Sequence, residues 1–341
     1  MPVKNSRTIN LGVIGYGYWG PNIARNLQAI EEADLIAVCD KDIRVLSNLQ
    51  KKHPNIKVSH DYRDIVLSPD IDAVAVVTPV STHFELVKAA LLNGKHVFVE
   101  KPFTSSVKEA EKLIDLANKK KCKIMVDHTF LFTGAVKKIK ELIDAGSLGN
   151  ILYYDSTRIN LGLFQHDVNV IWDLIPHDLA VMDFVIKNKP IAVSAQGVDH
   201  FGRGLENIAY VTVYFENNTI AHFSVNWLSP VKVRLVLVGG TKKMIAWDDG
   251  AADEKVRVYN KGVKTSSKKG VYNLLVDYRL GDMWAPKIDR TEALKCELEY
   301  FIRYIASNIV AVNDGHAGLR IVKMLQAAND SLKKGGKTVK L

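Results

Sequence analysis

The stretch Asn10-Leu11-Gly12-Val13-Ile14-Gly15-Tyr16-Gly17-Tyr18-Trp19-Gly20-Pro21 decides how the rest of the chain is read. An apolar run, Ile9 to Ile14, enters a Gly-x-Gly-x-x-Gly turn, and Pro21 stands at a natural first position for a helix. Ile23, Leu27 and Ile30 then recur at helical spacing. Strand, glycine turn and helix in that order form the context in which this motif carries weight. Gly15 allows the tight turn, Gly17 lets the backbone approach a pyrophosphate, and Gly20 permits close packing of helix on strand. The turn as a whole, with Tyr16, Tyr18 and Trp19, presents backbone N–H groups and a positive helix end to phosphates. A second apolar run, Leu35-Ile36-Ala37-Val38-Cys39, ends in Asp40, whose carboxylate can accept both hydroxyls of an adenosine ribose. Together these residues read as a dinucleotide site. Asp40 repels a 2′-phosphate and so favours NAD, with NADP as the alternative because Lys41 and Arg44 lie close enough to hold that phosphate.

Working outward, strands and helices alternate as far as Val126. Strand candidates are Ile56-Val58, Ile71–Val77, His96–Val99 and Lys123–Val126, with helices between them at 42–53, 61–66, 81–93 and 106–120. That alternation implies a parallel sheet covered on both faces, with ligands gathered beyond the carboxyl ends of its strands. Asp40, Thr78, Pro79, Glu100, Lys101, Asp127 and His128 all stand at strand ends.

After Gly149 the texture changes. Seven strand candidates follow, 151–160, 191–197, 208–215, 219–227, 231–239, 244–248 and 256–259, with one helix inserted near 170–187. Two helices, 289–307 and 315–334, close the chain. The expected fold is α/β: a doubly wound parallel sheet of residues 1–127, then a domain of residues 128–341 with a largely antiparallel open sheet. The last helices are expected to return to the first domain. Ala221, Phe223, Val225 and Trp227 share one face by the two-residue period, and such a face left in water exceeds the apolar patch of an ordinary monomer. Association of subunits through this sheet is therefore expected.

Composition excludes several classes. The 341 residues are 47% hydrophobic and 24% charged, as in ordinary globular proteins, and no apolar run is long enough for a membrane span. The formal charge of +9 is scattered, as in Lys119-Lys120-Lys121, Lys268-Lys269 and Lys333-Lys334, without the aromatic interleaving of a nucleic-acid binder. Neither a nucleic-acid partner nor a membrane partner is expected. Cys39, Cys122 and Cys296 lack metal-ligand spacing, so no metal is expected. An odd, sparse set of cysteines, and a first strand that follows Met1 closely, place the protein in the cytoplasm.

Three elements outside the glycine turn could carry chemistry. Lys101, in Glu100-Lys101-Pro102, can donate to a substrate oxygen and steady a developing alkoxide. Asp173 and His177 are four residues apart, which puts a carboxylate and an imidazole on one helix face. An imidazole titrating near neutrality can take a hydroxyl proton as hydride leaves the same carbon. Arg158, Asn160 and Gln165 lie in a polar, glycine-bearing stretch that reads as a substrate loop, with a plain solvent loop as the alternative.

The glycine turn, Asp40, Thr78-Pro79-x-x-x-His83, Glu100-Lys101-Pro102 and Asp173-x-x-x-His177 together resemble the glucose–fructose oxidoreductase / inositol dehydrogenase (Gfo/Idh/MocA) family in order and spacing. The resemblance implies an N-terminal Rossmann domain and a C-terminal α/β domain whose open sheet joins subunits into homodimers or homotetramers. It implies Lys101 and His177 as the catalytic pair, Asp173 in support, Asp40 on the ribose, and Thr78, Pro79, His83 and Glu100 lining the cofactor. Two positions depart from the common pattern. Ile175-Pro176 follow the motif aspartate where many members have glycine, and proline inside a helix implies a kinked or late-starting one. Ala180 stands where an aspartate is common.

The segment Trp172-Asp173-Leu174-Ile175-Pro176-His177-Asp178-Leu179 is similar to members of nucleotide-sugar pathways. It implies UDP-N-acetylglucosamine or its uronate as substrate, oxidised at C3. The alternatives are an inositol or free-sugar dehydrogenase, and a catalytically silent regulator that binds the dinucleotide. Between Lys101 and His177, the histidine is the expected base, since an imidazole ordinarily titrates at about 6.5 and a lysine at about 10.4.

Overall fold

The structure is a computed structural model that describes residues 8–162, 164–265, 276–307 and 309–341. The N-terminal residues 1–7 and the pair Lys268-Lys269 lie outside the described residues. The chain forms two compact units, Met1–Phe132 with Thr291–Lys323, and Thr133–Arg290 with Met324–Leu341.

The first unit alternates strand and helix: β1 (Ile9–Ile14), α1 (Gly20–Gln28), β2 (Ala33–Cys39), α2 (Ile43–Lys52), β3 (Lys57–Ser59), α3 (Arg63–Val66), β4 (Ala73–Val76), α4 (Val80–Leu92), β5 (His96–Val99), α5 (Val107–Lys120) and β6 (Ile124–Val126). The six strands are parallel in the order β3-β2-β1-β4-β5-β6, the doubly wound arrangement whose crevice opens where the order reverses, between β1 and β4. β4, Ala-Val-Ala-Val, is buried throughout, as a parallel strand covered on both faces must be. Ile23, Ala24 and Leu27 on α1 bury one apolar stripe against that sheet. The same core takes in Leu298, Phe301 and Ile302 from a later helix, with the Phe98 and Phe301 rings 5.6 Å apart.

The second unit holds α6 (Gly134–Asp144), β7 (Ile151–Leu161), α7 (Val170–Val185), β8 (Pro190–Val198), β9 (Ile208–Phe215), β10 (Ile220–Asn226), β11 (Leu228–Gly240), β12 (Met244–Asp248), β13 (Val256–Tyr259), β14 (Gly262–Thr265), β15 (Val276–Arg279) and β16 (Met283–Trp284). Then come α8 (Ala293–Ala306), which belongs to the first unit, α9 (Gly315–Lys333) and β17 (Val339–Lys340). The large sheet runs β16-β13-β12-β11-β7-β10-β9-β8-β17, and β10 pairs with β7 in parallel while its other pairings are antiparallel.

The premise that this sheet leaves an apolar face open is corrected here. Ala221, Phe223, Val225 and Trp227 do share a face, but each is at most 1% exposed, with α7 packed on β10. The face needs no partner. The opposite face of the sheet carries Tyr210, Thr212 and Tyr214 on β9 in register with Ser224, His222 and Ile220 on β10. It mixes polar and apolar side chains, with Tyr210 50% and Ile220 42% exposed. Of the two outcomes expected at Pro176, a kinked or a late-starting helix, the late start is not seen. Helix α7 does not wait for the proline: it starts at Val170, where Asn169 caps it by accepting from the Trp172 N–H, and runs on through Pro176.

Candidate active site

The candidate dinucleotide site of the first unit lies at the β1–α1 turn. Gly15 has φ +99°, and a side chain there would meet the Val77 carbonyl oxygen at 2.4 Å, so glycine is required twice over. A side chain on Gly20 would meet the Gly15 carbonyl oxygen at 2.5 Å, the close packing of helix on strand that the motif demands. Gly17 differs: nothing lies within 4 Å of where its Cβ would stand. The space beside that backbone is open to a ligand. No side chain caps the N-terminus of α1, so its first-turn N–H groups can meet an anion. Tyr18 is 90% exposed and stacks on Trp19 at 6.5 Å.

Asp40 stands at the end of β2 and is tied to the turn. Its Oδ2 accepts the Tyr16 backbone N–H at 2.6 Å and its Oδ1 accepts that of Asp42 at 2.8 Å. Each oxygen retains a lone pair for a ribose hydroxyl. These residues fit an adenine dinucleotide.

Thr78 and Pro79 follow β4, and Pro79 caps α4. His83 is fully buried behind them, its Nε2 2.8 Å from the Thr78 carbonyl oxygen and its Nδ1 2.9 Å from that of Pro102. It braces the two strand ends and does not offer its ring to the surface. Glu100 and Lys101 close β5, and Glu100 Oε2 accepts the Lys101 backbone N–H at 3.2 Å.

Behind Lys101 lies a network of the strand-end residues Glu100, Asp127 and His128 with Glu297, which the sequence pattern had not singled out. Asp127, 1% exposed at the end of β6, accepts from the Thr129 N–H at 3.1 Å and from the Trp19 indole at 3.4 Å. Glu297 on α8 is fully buried and accepts from the His128 N–H at 2.9 Å and from Asn313 at 2.8 Å. Burial, and then the Asp127 charge, push the Glu100 and Glu297 carboxyls well above the usual carboxylate range. Burial lowers His128 to about 4, so its imidazole is neutral at physiological pH. One signal could have exposed Glu297. It shares the spacing of Leu294, Leu298 and Phe301, which puts a carboxylate on the buried face of α8.

The other unit carries the remaining candidate residues. Asp173 and His177 stand one turn apart on α7, both half-buried. The Trp227 indole donates to Asp173 Oδ2 at 3.0 Å. Asn160 is half-buried at the end of β7 and Gln165 is exposed in the loop beyond it. Arg158 is not in that loop's surface: it is 6% exposed and its guanidinium is engaged with Asp178, Nε to Oδ2 at 2.5 Å and Nη2 to Oδ1 at 3.1 Å. Among the described residues no group of three or more His, Cys, Asp or Glu side chains could hold a metal ion. No helix among them is long and apolar enough to cross a membrane.

Comparison with known proteins defines the class. Residues 9–128 match the oxidoreductase family with an NAD-binding Rossmann fold, and residues 136–246 match the GFO/IDH/MocA C-terminal domain. The chain belongs to the Gfo/Idh/MocA family of NAD-binding oxidoreductases. It is similar to the UDP-N-acetylglucosamine 3-dehydrogenase of Acidithiobacillus ferrooxidans, 28% identical over 328 residues, which span 91% of this chain and 93% of that protein. It is also similar to the myo-inositol 2-dehydrogenase of Thermotoga maritima, 28% identical over 55% of this chain and 58% of that one. A crystal structure of the Acidithiobacillus enzyme covers 97% of this chain and 99% of its own with a TM-score of 0.80 at 23% identity, a likeness of fold.

Proposed function

We propose that this protein is an NAD-dependent dehydrogenase of a sugar secondary alcohol, acting on a nucleotide sugar of the UDP-N-acetylglucosamine type or its uronate, at C3. The observation that carries this reading is that the Glu100-Lys101-Pro102 and Asp173-x-x-x-His177 motifs both occur in a chain similar, nearly end to end, to a UDP-N-acetylglucosamine 3-dehydrogenase. The inositol dehydrogenase matches over a little more than half of each chain, which supports the free-polyol alternative less.

The assigned chemistry uses three side chains. Bound NAD supplies the hydride acceptor. The His177 imidazole takes the hydroxyl proton, while the C–H pair leaves the same carbon as hydride. Lys101 donates to the oxygen and offsets its developing negative charge. Asp173 holds His177 in orientation. NAD is preferred to NADP because the Asp40 carboxylate occupies the 2′ side of the ribose. We further assign assembly into a homodimer or homotetramer to the outward face of the large sheet, around Tyr210, His222 and Ile220. Light scattering should then return a multiple of 38.0 kDa, and the monomer mass at micromolar concentration would remove that assignment.

Thermal-shift titration tests the substrate class. With NAD present, UDP-N-acetylglucosamine or its uronate should raise the melting temperature, and free inositols should not. A response to myo-inositol alone would transfer the protein to the polyol dehydrogenases.

A further inference from the structure

Trp227 sits at the junction of β10 and β11, where the pairing of β11 with β7 breaks register. It is 1% exposed and held from three directions. Its backbone N–H donates to the Asn207 carbonyl at 3.0 Å, and its own carbonyl accepts the Gly162 N–H at 3.2 Å. The Phe164 ring packs on the indole at 5.3 Å, and Phe164 in turn meets Phe201 at 5.3 Å. A side chain at Gly162 would come within 3.1 Å of the indole Cδ1, so the loop backbone lies close against the ring. The one polar atom of this side chain, Nε1, donates to Asp173 Oδ2 at 3.0 Å. One residue therefore joins the polar loop after β7 to the carboxylate of the Asp173–His177 turn.

We propose that Trp227 is a positioning residue for the proton-transfer machinery, coupling Gly162 and Phe164, beyond β7, to the orientation of Asp173. The inference rests on the roles assigned above to Asp173 and His177. An aspartate at the start of a helix, half in solvent, has several rotamers open to it, and a buried indole N–H selects one. The same indole is the surface on which Phe164 rests, so a ligand that moves the loop presses on the donor of that hydrogen bond. A buried tryptophan kept only for volume would be served by any aromatic ring. What distinguishes this one is the direction of its N–H.

The test is Trp227→Phe, which keeps the aromatic packing and removes only the donor. With UDP-N-acetylglucosamine and NAD, kcat should fall about tenfold, the loss of roughly one hydrogen bond, while NAD affinity is unchanged. In an Asp173→Ala background, which removes the acceptor, the same substitution should cost little more, since the coupling is already broken. Full kcat in Trp227→Phe, or an undiminished loss in the Asp173→Ala background, overturns the proposal. A second readout needs no substrate. Indole N–H signals of the five tryptophans can be followed by NMR in 15N-tryptophan-labelled protein, with Trp227→Phe providing the assignment. The Trp227 signal should move in Asp173→Ala and in Phe164→Ala. A signal unmoved by Asp173→Ala overturns the coupling, even if the wild type oxidises none of the sugars offered. Failure of the wild type alone would count against the substrate reading and leave the NMR result to decide this one.

Discussion

Arg158 on β7 and Asp178 on α7 form an ion pair inside the second unit, with two hydrogen bonds of 2.5 and 3.1 Å and side chains 7% and 4% exposed. Asp178 directly follows His177, so this pair fixes which face of α7 meets the sheet and which carries Asp173 and His177. Removing one member leaves a buried charge uncompensated. Asp178→Asn or Arg158→Met should each destabilise the protein by about 3–5 kcal/mol, and an apolar double replacement should recover much of that. Urea denaturation of the two single variants and the double variant checks this. A loss under 1 kcal/mol, of order what an exposed pair contributes, would mean the pair is solvated.

The glycines of the nucleotide turn should separate by mechanism. Gly15→Ala places a methyl group against the Val77 carbonyl at a positive φ and should lower thermal stability. Gly17→Ala meets nothing in the free protein and should fold as stably as the wild type. Its methyl group fills the approach to the pyrophosphate, so NAD affinity should fall at least about tenfold. Melting temperature and fluorescence titration with NADH measure the two effects independently. Unchanged NADH binding by Gly17→Ala would place the pyrophosphate elsewhere.

Glu297 gives a pH prediction with a definite sign. Its folded-state pKa is raised, by burial first and by Asp127 second, so the folded state prefers its protonated form. Its contribution to stability is full below the unfolded value near 4.3 and is lost as pH rises through the folded value. His128 works oppositely, its value being lowered to about 4: its contribution is present above the unfolded value near 6.5 and fades as pH falls toward 4. Glu297→Gln retains the acceptor for His128 and Asn313 and never ionises. Melting temperatures between pH 5 and pH 9 should therefore show the variant gaining on the wild type as pH rises, by on the order of 1 kcal/mol. A constant difference across that range would contradict the assignment.

Much of the first unit was legible because parallel strands covered on both faces are unbroken apolar runs. His96–Val99 falls on the residues read from the pattern, and the Gly15–Gly20 turn and Asp40 come together as spacing required. The second unit was harder for physical reasons. A two-residue period tells which side chains share a face but not what covers it, and Phe223 and Val225 are covered by α7. Polar residues near a glycine suggest a binding loop, yet Arg158 alternates inward and meets Asp178. Helix α6, between the two patterned regions, was missed, although Val136, Ile139 and Leu142 recur at helical spacing behind Thr133 as cap. Trp227 was read as one more apolar residue, because no periodicity reports where an indole N–H points.

Cofactor choice follows from Asp40, with both oxygens already fixed by backbone N–H groups. Fluorescence titration should give tighter binding of NADH than of NADPH, and Asp40→Ala should narrow or abolish the difference by weakening NADH. Equal binding by the wild type would mean that Lys41 or Arg44 overrides the carboxylate.

The proposed roles, His177 as base and Lys101 as donor to the sugar oxygen, meet in one experiment: the initial rate of NADH formation from NAD and UDP-N-acetylglucosamine, followed across pH in the wild type, His177→Asn and Lys101→Met. The wild-type rate should rise with pH as the base loses its proton. That limb should vanish in His177→Asn, with partial recovery by hydroxide at high pH, and the limb should persist at a much lower rate in Lys101→Met. An unchanged limb in His177→Asn, lost instead in Lys101→Met, would reverse the two roles. No NADH from this sugar, its uronate or myo-inositol would contradict the account itself.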